Sequence, residues 1–576
     1  MIFITEEKEY LKLLDEGYLL LKVSCANGLF VDAWFNENKE EKTIRKQLGS
    51  LELNLTSNGL FGSFVSHVLG TETDIEEITK NAYLQIFGAL KAYPEMQVIR
   101  FWNSVPEIHK PLSDGQILYH LFNAGRYNAF KTFFSKELEG MSIPAASALG
   151  TKENHLKIEF LAVRNHVAFI ENKEQIPACQ YSKKYGKRPP FFSRGVIFNN
   201  NGQHILLSSG TASVVGEDSC HDNDIYEQLC ESIQNLRILG SQFNLKKNDI
   251  HYGFAIEDIV LFRVYYRHEV DRPLLERLVP KFLSPRCKIS FQQADICRQE
   301  LLVEVEALFV KKGENENGNQ TLKYVLNSDQ RISTESFEIH VAEHCNLKCR
   351  DCCNLSPFNQ KKFMSLEEVQ DVCDFVKKHF KPDIFKIVGG EPTLHPQLDE
   401  LLRLVKKSNV SQIVRVVTNG LLLHKMKPGF WENIDQLTIS NYSSVPIKQK
   451  ILDDVKVKAK EYGIVLNIKY VTQFNEIFLD EPTQDKDRIQ TIYNDCWMRH
   501  RCLIIREGYF HKCTRASYMA SPYSVQDGIA LQDPDFKSKA LDYLNSETPL
   551  NSCEKCLGVS GNLRPNVQLK FTKNKL

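Results

Sequence analysis

Cys345, Cys349 and Cys352 stand in the string His344-Cys-Asn-Leu-Lys-Cys-Arg-Asp-Cys352, directly after the strand-like run Phe337–Val341. Three thiolates at this spacing can hold three corners of a four-iron cube and leave the fourth iron open to a ligand that is not protein. Such a centre suits binding and cleaving a small molecule better than carrying electrons alone. Gly389-Gly-Glu-Pro392 ends the next apolar run, Ile384–Val388. Its glycines let the backbone come close to a ligand, and Glu391 can accept hydrogen bonds from an ammonium. A second set near the chain end comprises Cys496, Cys502, Cys513, Cys553 and Cys556. Four thiolates of five suit a further [4Fe–4S] cluster or a tetrahedral zinc, and a disulfide pair is the third reading.

The elements that must carry these residues alternate. Ser365-Leu-Glu-Glu368 is a capping box, and Leu366, Val369, Val372 and Val376 then share one helical face. Strand-like runs recur at Ile413–Val417, Leu437–Ser440 and Ile464–Val471, with helical stretches at Pro396–Lys407 and Val445–Tyr462. Alternation of this kind predicts parallel βα units, arranged as a partial (β/α)6 barrel with chemistry on the loops after the strands.

CxxxCxxC followed by GGEP resembles the radical S-adenosylmethionine (SAM) enzymes over roughly residues 335–490. The resemblance implies a [4Fe–4S] cluster on Cys345, Cys349 and Cys352. It also implies SAM held at Gly389, Gly390, Glu391 and Pro392, with Thr418, Asn419 and Ser440 toward the nucleoside. The reaction implied is reductive cleavage of SAM to a 5′-deoxyadenosyl radical, fed by a reductant such as flavodoxin or ferredoxin. The family usually carries an aromatic residue before the third cysteine, where this chain has Asp351; Cys353 is read as a bystander. The later cysteines resemble an auxiliary-cluster extension of the SPASM/Twitch kind, which implies a second [4Fe–4S] cluster on Cys496, Cys513, Cys553 and Cys556, with Cys502 as the spare.

The first half has no metal-ligand spacing. Strand-like runs at Gly195–Phe198, His204–Ser208 and Ile259–Tyr266 mix with a helix at Asp224–Leu239, an α+β pattern. Its strings are more specific: Phe101-Trp-Asn-Ser-Val-Pro106, Asn123-Ala-Gly-Arg126, Gln175-Ile-Pro-Ala178, Ser209-Gly-Thr-Ala-Ser213, Tyr265-Tyr-Arg267 and Ala294–Glu306. In this order they resemble the chorismatase (3-hydroxybenzoate synthase) family, which has a Rid-like (YjgF-like) fold. The length of the half suggests two tandem Rid-type units. Chorismate is a dicarboxylate with an enol ether, and cleavage requires protonating the enolpyruvyl methylene carbon. A carboxylic acid in a dry pocket suits that task. By the family pattern the acid lies seven residues after a cysteine or alanine, so Glu304 after Cys297 is the expected acid, with Glu306 the runner-up. Cysteine at that position goes with release of 3-hydroxybenzoate and pyruvate, and alanine with a dihydrodiol. Arg267, then Arg194 and Arg126, are expected to hold the substrate's carboxylates through forked donors, with Tyr265 beside them.

The 576 residues are enough for several domains. The expected division is residues 1–190 and 191–312 for two Rid-like halves, 313–334 for a polar linker, 335–490 for the radical SAM core and 491–576 for an auxiliary-cluster domain. The 72 basic and 72 acidic residues cancel, so no net field recruits nucleic acid or an anionic membrane. No apolar run approaches a bilayer span, and the mixed N-terminus does not read as a signal sequence. With cysteines in ligand spacing, a cytoplasmic protein is expected. The reading is a bifunctional enzyme, coupling chorismate hydrolysis to a radical step on an aromatic acid derivative in one pathway. The rival is a peptide-modifying radical enzyme with a non-catalytic Rid-like binding domain.

Overall fold

The computed structural model describes residues 19–25, 28–34, 43–67, 74–134, 143–200, 202–312, 324–496, 498–520 and 522–570. The chain divides into two units, one formed by residues 1–276 and 286–318 and the other by 277–285 and 319–576. Part of the expected linker, residues 313–323, lies outside the described residues.

The first unit repeats one topology. Its six-stranded sheet runs in the order Ile44–Leu48, Leu51–Leu55, Gly59–His67, His155–Val163, Gln97–Pro106, Ala145–Thr151. The second sheet follows the same path through Val167–Ile170, Gly195–Asn200, Gln203–Ser208, Val303–Lys312, Ile259–Tyr266 and Lys288–Gln293. In each, only the last two strands of the path are parallel. A long helix lies on the connection from the third to the fifth member of the path: Asp74–Leu90 in one, Ile225–Gly240 in the other. The second repeat opens at Val167, well before residue 191, because the short strand Val167–Ile170 pairs with Gly195–Asn200. The two sheets meet through Phe61, Trp102 and Leu161 on one side and Val196, Leu207 and Leu308 on the other, all buried.

In the second unit, Ile332–Ala342, Phe380–Gly389, Ile413–Thr418, Gln436–Tyr442 and Val465–Val471 lie side by side, all parallel. The capping box forms as expected: Ser365 accepts from the Glu368 amide and Glu368 from the Ser365 amide. Two departures concern the ends of this sheet. Five strands, not six, follow in sequence order, and a further parallel strand, Ile504–Arg506, joins the opposite edge beside Ile332–Ala342. The cysteine-rich C-terminal region therefore continues the same eight-stranded sheet, adding Tyr509–His511 and Ile529–Ala530 to that edge. The first strand begins at Ile332, inside the stretch expected to be linker, and Tyr324 ahead of it is buried. No described helix is long and apolar enough to cross a membrane.

Candidate active site and cysteine centres

The strand Val303–Lys312 alternates, so Glu304 and Glu306 leave it on the same face, yet their surroundings are opposite. Glu306 is an acceptor for buried donors on three other strands. Arg100 reaches it at 2.9 Å, Arg263 at 3.0 Å, the Trp102 indole at 3.2 Å and the Tyr265 hydroxyl at 3.3 Å, with Ser147 close by. Burial alone would raise its pKa, but Arg100 and Arg263 outweigh it and hold the carboxyl ionised. Glu304 has none of these partners. Its buried Oε1 accepts no hydrogen bond, and burial, with the nearby Glu306 charge, pushes its pKa up to about 8. A carboxyl so placed is a neutral acid at neutral pH.

Glu304 lines a cavity of about 190 Å³ together with Cys297, Tyr119, Gly210, Arg194 and Arg298. Gly210 leaves room for that carboxyl: a Cβ there would fall 1.9 Å from Glu304 Oε1 and force it to move. Cys297 is an uncharged thiol, pushed up to about 12 by burial and then by Glu304. Arg194 is held by the Ile176 carbonyl at 3.1 Å and the Tyr181 hydroxyl at 2.6 Å, while its buried Nε has no hydrogen-bond partner. Arg298 donates to the Glu217 carbonyl at 2.9 Å and stacks 3.8 Å over the Tyr185 ring. The helix Ile225–Gly240 positions the loop that carries Cys297 and Arg298: Gln228 donates to the Glu300 carbonyl at 2.9 Å and accepts from the Leu302 amide at 2.7 Å.

Three other expected residues lie away from this cavity's lining. Arg267 grips the back of the loop, donating to the Gln299 carbonyl and pairing with Asp295 at 3.4 Å. Arg126 is buried among the rings of Tyr83, Phe101 and Phe130. Tyr265 belongs to the Glu306 group. Arg298 is the residue that sequence reasoning did not single out. Strand alternation would turn it away from Cys297, but residues 294–302 are irregular, and both line the cavity.

In the second unit, Cys345 lies near Cys349 and Cys352, and N–H donors reach the sulfurs of Cys345 and Cys349. Cys345 Sγ accepts from the Leu347 amide at 3.3 Å and from Asn419 Nδ2 at 3.6 Å; Cys349 Sγ accepts from Gln568 Nε2 at 3.2 Å. Such donors suit anionic ligand sulfur better than neutral thiol. Asp351 takes a positive φ of 60°, a conformation in which aspartate is tolerated, and its carboxylate is 3.5 Å from Arg350. The glycines of Gly389-Gly390 answer to chain packing: a Cβ would meet the Ala342 carbonyl at 2.4 Å or the His344 carbonyl at 2.1 Å. Glu391 is engaged by the protein itself, accepting from Thr393 N at 3.0 Å, Thr418 Oγ1 at 2.6 Å and Asn419 N at 2.8 Å. It ties the Gly389–Pro392 turn to the end of the strand Ile413–Thr418. Ser440 stands on the adjacent strand, paired with Lys469.

Cys496, Cys513, Cys553 and Cys556 line one hollow, with Arg499 and Arg515, and Cys502 is not among its lining residues. Cys556 Sγ accepts from the Gly558 amide at 3.4 Å and from Arg515 at 3.6 Å. Asp527 fixes the loop before Cys553 by accepting from the Asn551 and Ser552 amides, each at 2.8 Å. Among the described residues no three His, Cys, Asp or Glu side chains converge closely enough to hold a metal ion. The four thiols surround a space instead.

An uncharged buried acid in a cavity with two guanidiniums, and a separate three-thiol loop backed by amide donors, are the sites of an enzyme. Residues 32–162 match the family described as "Chorismatase FkbO/Hyg5-like, N-terminal", and residues 339–466 match the radical SAM superfamily. The 3-hydroxybenzoate synthase of Streptomyces hygroscopicus is 32% identical over 239 residues, 40% of this chain and 69% of that protein. The GTP 3′,8-cyclase of Aquifex aeolicus is 26% identical over 151 residues, 23% of this chain and 47% of that one. A crystal structure of chorismatase aligns with a TM-score of 0.45 at 24% identity, over 51% of this chain and 90% of its own. The chain belongs to the chorismatase family through its first half, fused to a radical SAM domain. That second membership implies a [4Fe–4S] cluster and SAM.

Proposed function

We propose that the first unit cleaves chorismate to 3-hydroxybenzoate and pyruvate, with Glu304 as general acid. One observation carries this reading: the Glu304 carboxyl, pushed up to about 8, opens on a cavity beside Cys297 without a hydrogen-bond partner on its Oε1. Arg194 and Arg298 supply forked donors for the substrate's two carboxylates, in the role expected of Arg267. Glu304 gives its proton to the methylene carbon of the enolpyruvyl group, which becomes the methyl of pyruvate. The ring carbon–oxygen bond breaks as the oxygen of the neighbouring ring hydroxyl bonds to that same carbon, and this oxygen then parts from its original carbon and so ends at position 3. Aromatisation of the ring releases a proton that restores the acid. The two products together contain every atom of chorismate, so no water is consumed overall.

The second unit is read as a radical SAM enzyme acting in the same biosynthetic sequence. Cys345, Cys349 and Cys352 would hold its cluster, and the Gly389–Pro392 turn, Asn419 and Ser440 would face SAM. When bound, these groups supply reductive cleavage of SAM to a 5′-deoxyadenosyl radical. A second cluster on Cys496, Cys513, Cys553 and Cys556 is supported by their common hollow and by the N–H donors on Cys556. Thiols set around a space suit a multi-atom cluster better than a single zinc, which draws its sulfurs in to ~2.3 Å.

The test is product analysis with the full-length protein and chorismate, without SAM or reductant. Equal amounts of 3-hydroxybenzoate and pyruvate are expected. Cys297→Ala is expected to change the aromatic product toward a dihydrodiol while pyruvate release continues. Untouched chorismate would sink the proposal.

A further inference from the structure

The C-terminal segment lies along the loop of the first three cysteines. The Arg350 amide donates to the Val567 carbonyl at 3.0 Å, and the Leu569 amide to the Lys348 carbonyl at 2.7 Å, so Cys349 and Gln568 pair as in an antiparallel ladder. Gln568 Oε1 accepts from the Lys348 amide at 2.6 Å. A backbone N–H can only donate, so the orientation of this carboxamide is settled: its Nε2 must face the other way. There it donates to Cys349 Sγ at 3.2 Å and to Ser444 Oγ at 2.9 Å. Asn566 is buried one turn of the ladder earlier, its Oδ1 accepting from Ser444. Its buried Nδ2 has no hydrogen-bond partner.

A carboxamide N–H fixed on a sulfur by bonds at both its ends is poorly matched to a neutral thiol, a weak acceptor, and is suited to a sulfur that carries negative charge. We propose that Gln568 is a positioning residue for the first cluster, a terminal strap whose N–H···S bond to Cys349 raises that cluster's reduction potential. The proposal rests on the reading of Cys345, Cys349 and Cys352 as cluster ligands. Hydrogen bonds to cluster sulfur favour the reduced, more negative state, and partners outside the ligand set tune a metal centre in this way. The bond spans 219 residues of sequence, so the ease of reducing the first centre depends on the segment around Gln568 being folded against it.

The experiment uses the full-length protein, reconstituted anaerobically with iron and sulfide, as wild type, Gln568→Glu and Gln568→Met. Iron per chain and the midpoint potential of the cluster whose EPR spectrum changes on adding SAM are measured. At wild-type iron content, both variants should show a lowered midpoint, Gln568→Glu more than Gln568→Met because it also adds negative charge. The signal indifferent to SAM should not move. An unchanged midpoint at full iron overturns the proposal. So does loss of iron in both variants, which would make the amide a device for holding the loop rather than for tuning it. If wild type itself has no SAM-responsive cluster, the underlying ligand reading fails instead.

Discussion

Glu304 and Glu306 are two residues apart on one strand face, and their difference lies wholly in their partners. Glu306 is met by two arginines, an indole and a phenol; Glu304 meets the backbone of Gly210 and a cavity. Catalysis by Glu304 requires its protonated form, and its pKa is raised to about 8. The rate of pyruvate release should therefore be level through neutral pH and fall as pH rises through about 8, as read from a kcat/KM profile on chorismate. A fall centred near the ordinary glutamate range would count against the assignment. Gly210→Ala should lower the rate strongly without unfolding the protein, since its methyl needs the space of the Glu304 carboxyl; circular dichroism and the pyruvate assay check both halves of that statement. Cys297 and Glu304, which line one cavity, were singled out through the seven-residue offset that the chorismatase resemblance implies. Arg298 was not, because its direction is set by an irregular loop pinned by Gln228, a contact made across 72 residues.

At the scale of elements, most strands and helices could be read from periodicity and caps. The capping box at Ser365 forms, and Asp224 caps the helix Ile225–Gly240 by accepting from the Glu227 amide. What periodicity could not reach was pairing. The strand Val167–Ile170 is too short to announce itself, and Ile504–Arg506 joins the sheet through a partner more than 160 residues away. The Glu306 cluster is of the same long-range kind, binding strands of both repeats to one carboxylate. Glu306→Gln would leave Arg100 and Arg263 buried without their counter-charge. A loss of about 3–5 kcal/mol is expected from chemical unfolding. The Glu304→Gln variant should unfold close to wild type, because it removes a carboxyl that burial already disfavours. Equal stability losses in the two would contradict the division of roles.

For the molecule as a whole, the proposed function puts two independent activities on one chain. Anaerobically reconstituted protein should hold about eight irons, and replacing Cys345, Cys349 and Cys352 by alanine should leave about four, since each cube carries four. Pyruvate release from chorismate should be indifferent to that replacement. Four irons with zinc in wild type would contradict the second cluster. The most direct test of the central claim is the rate of pyruvate release by full-length Glu304→Gln relative to wild type at neutral pH. General acid catalysis is worth roughly 10²–10⁴-fold, and a loss in that range, with iron content and folding unchanged, is the result the account predicts. A variant that releases pyruvate at the wild-type rate would contradict it.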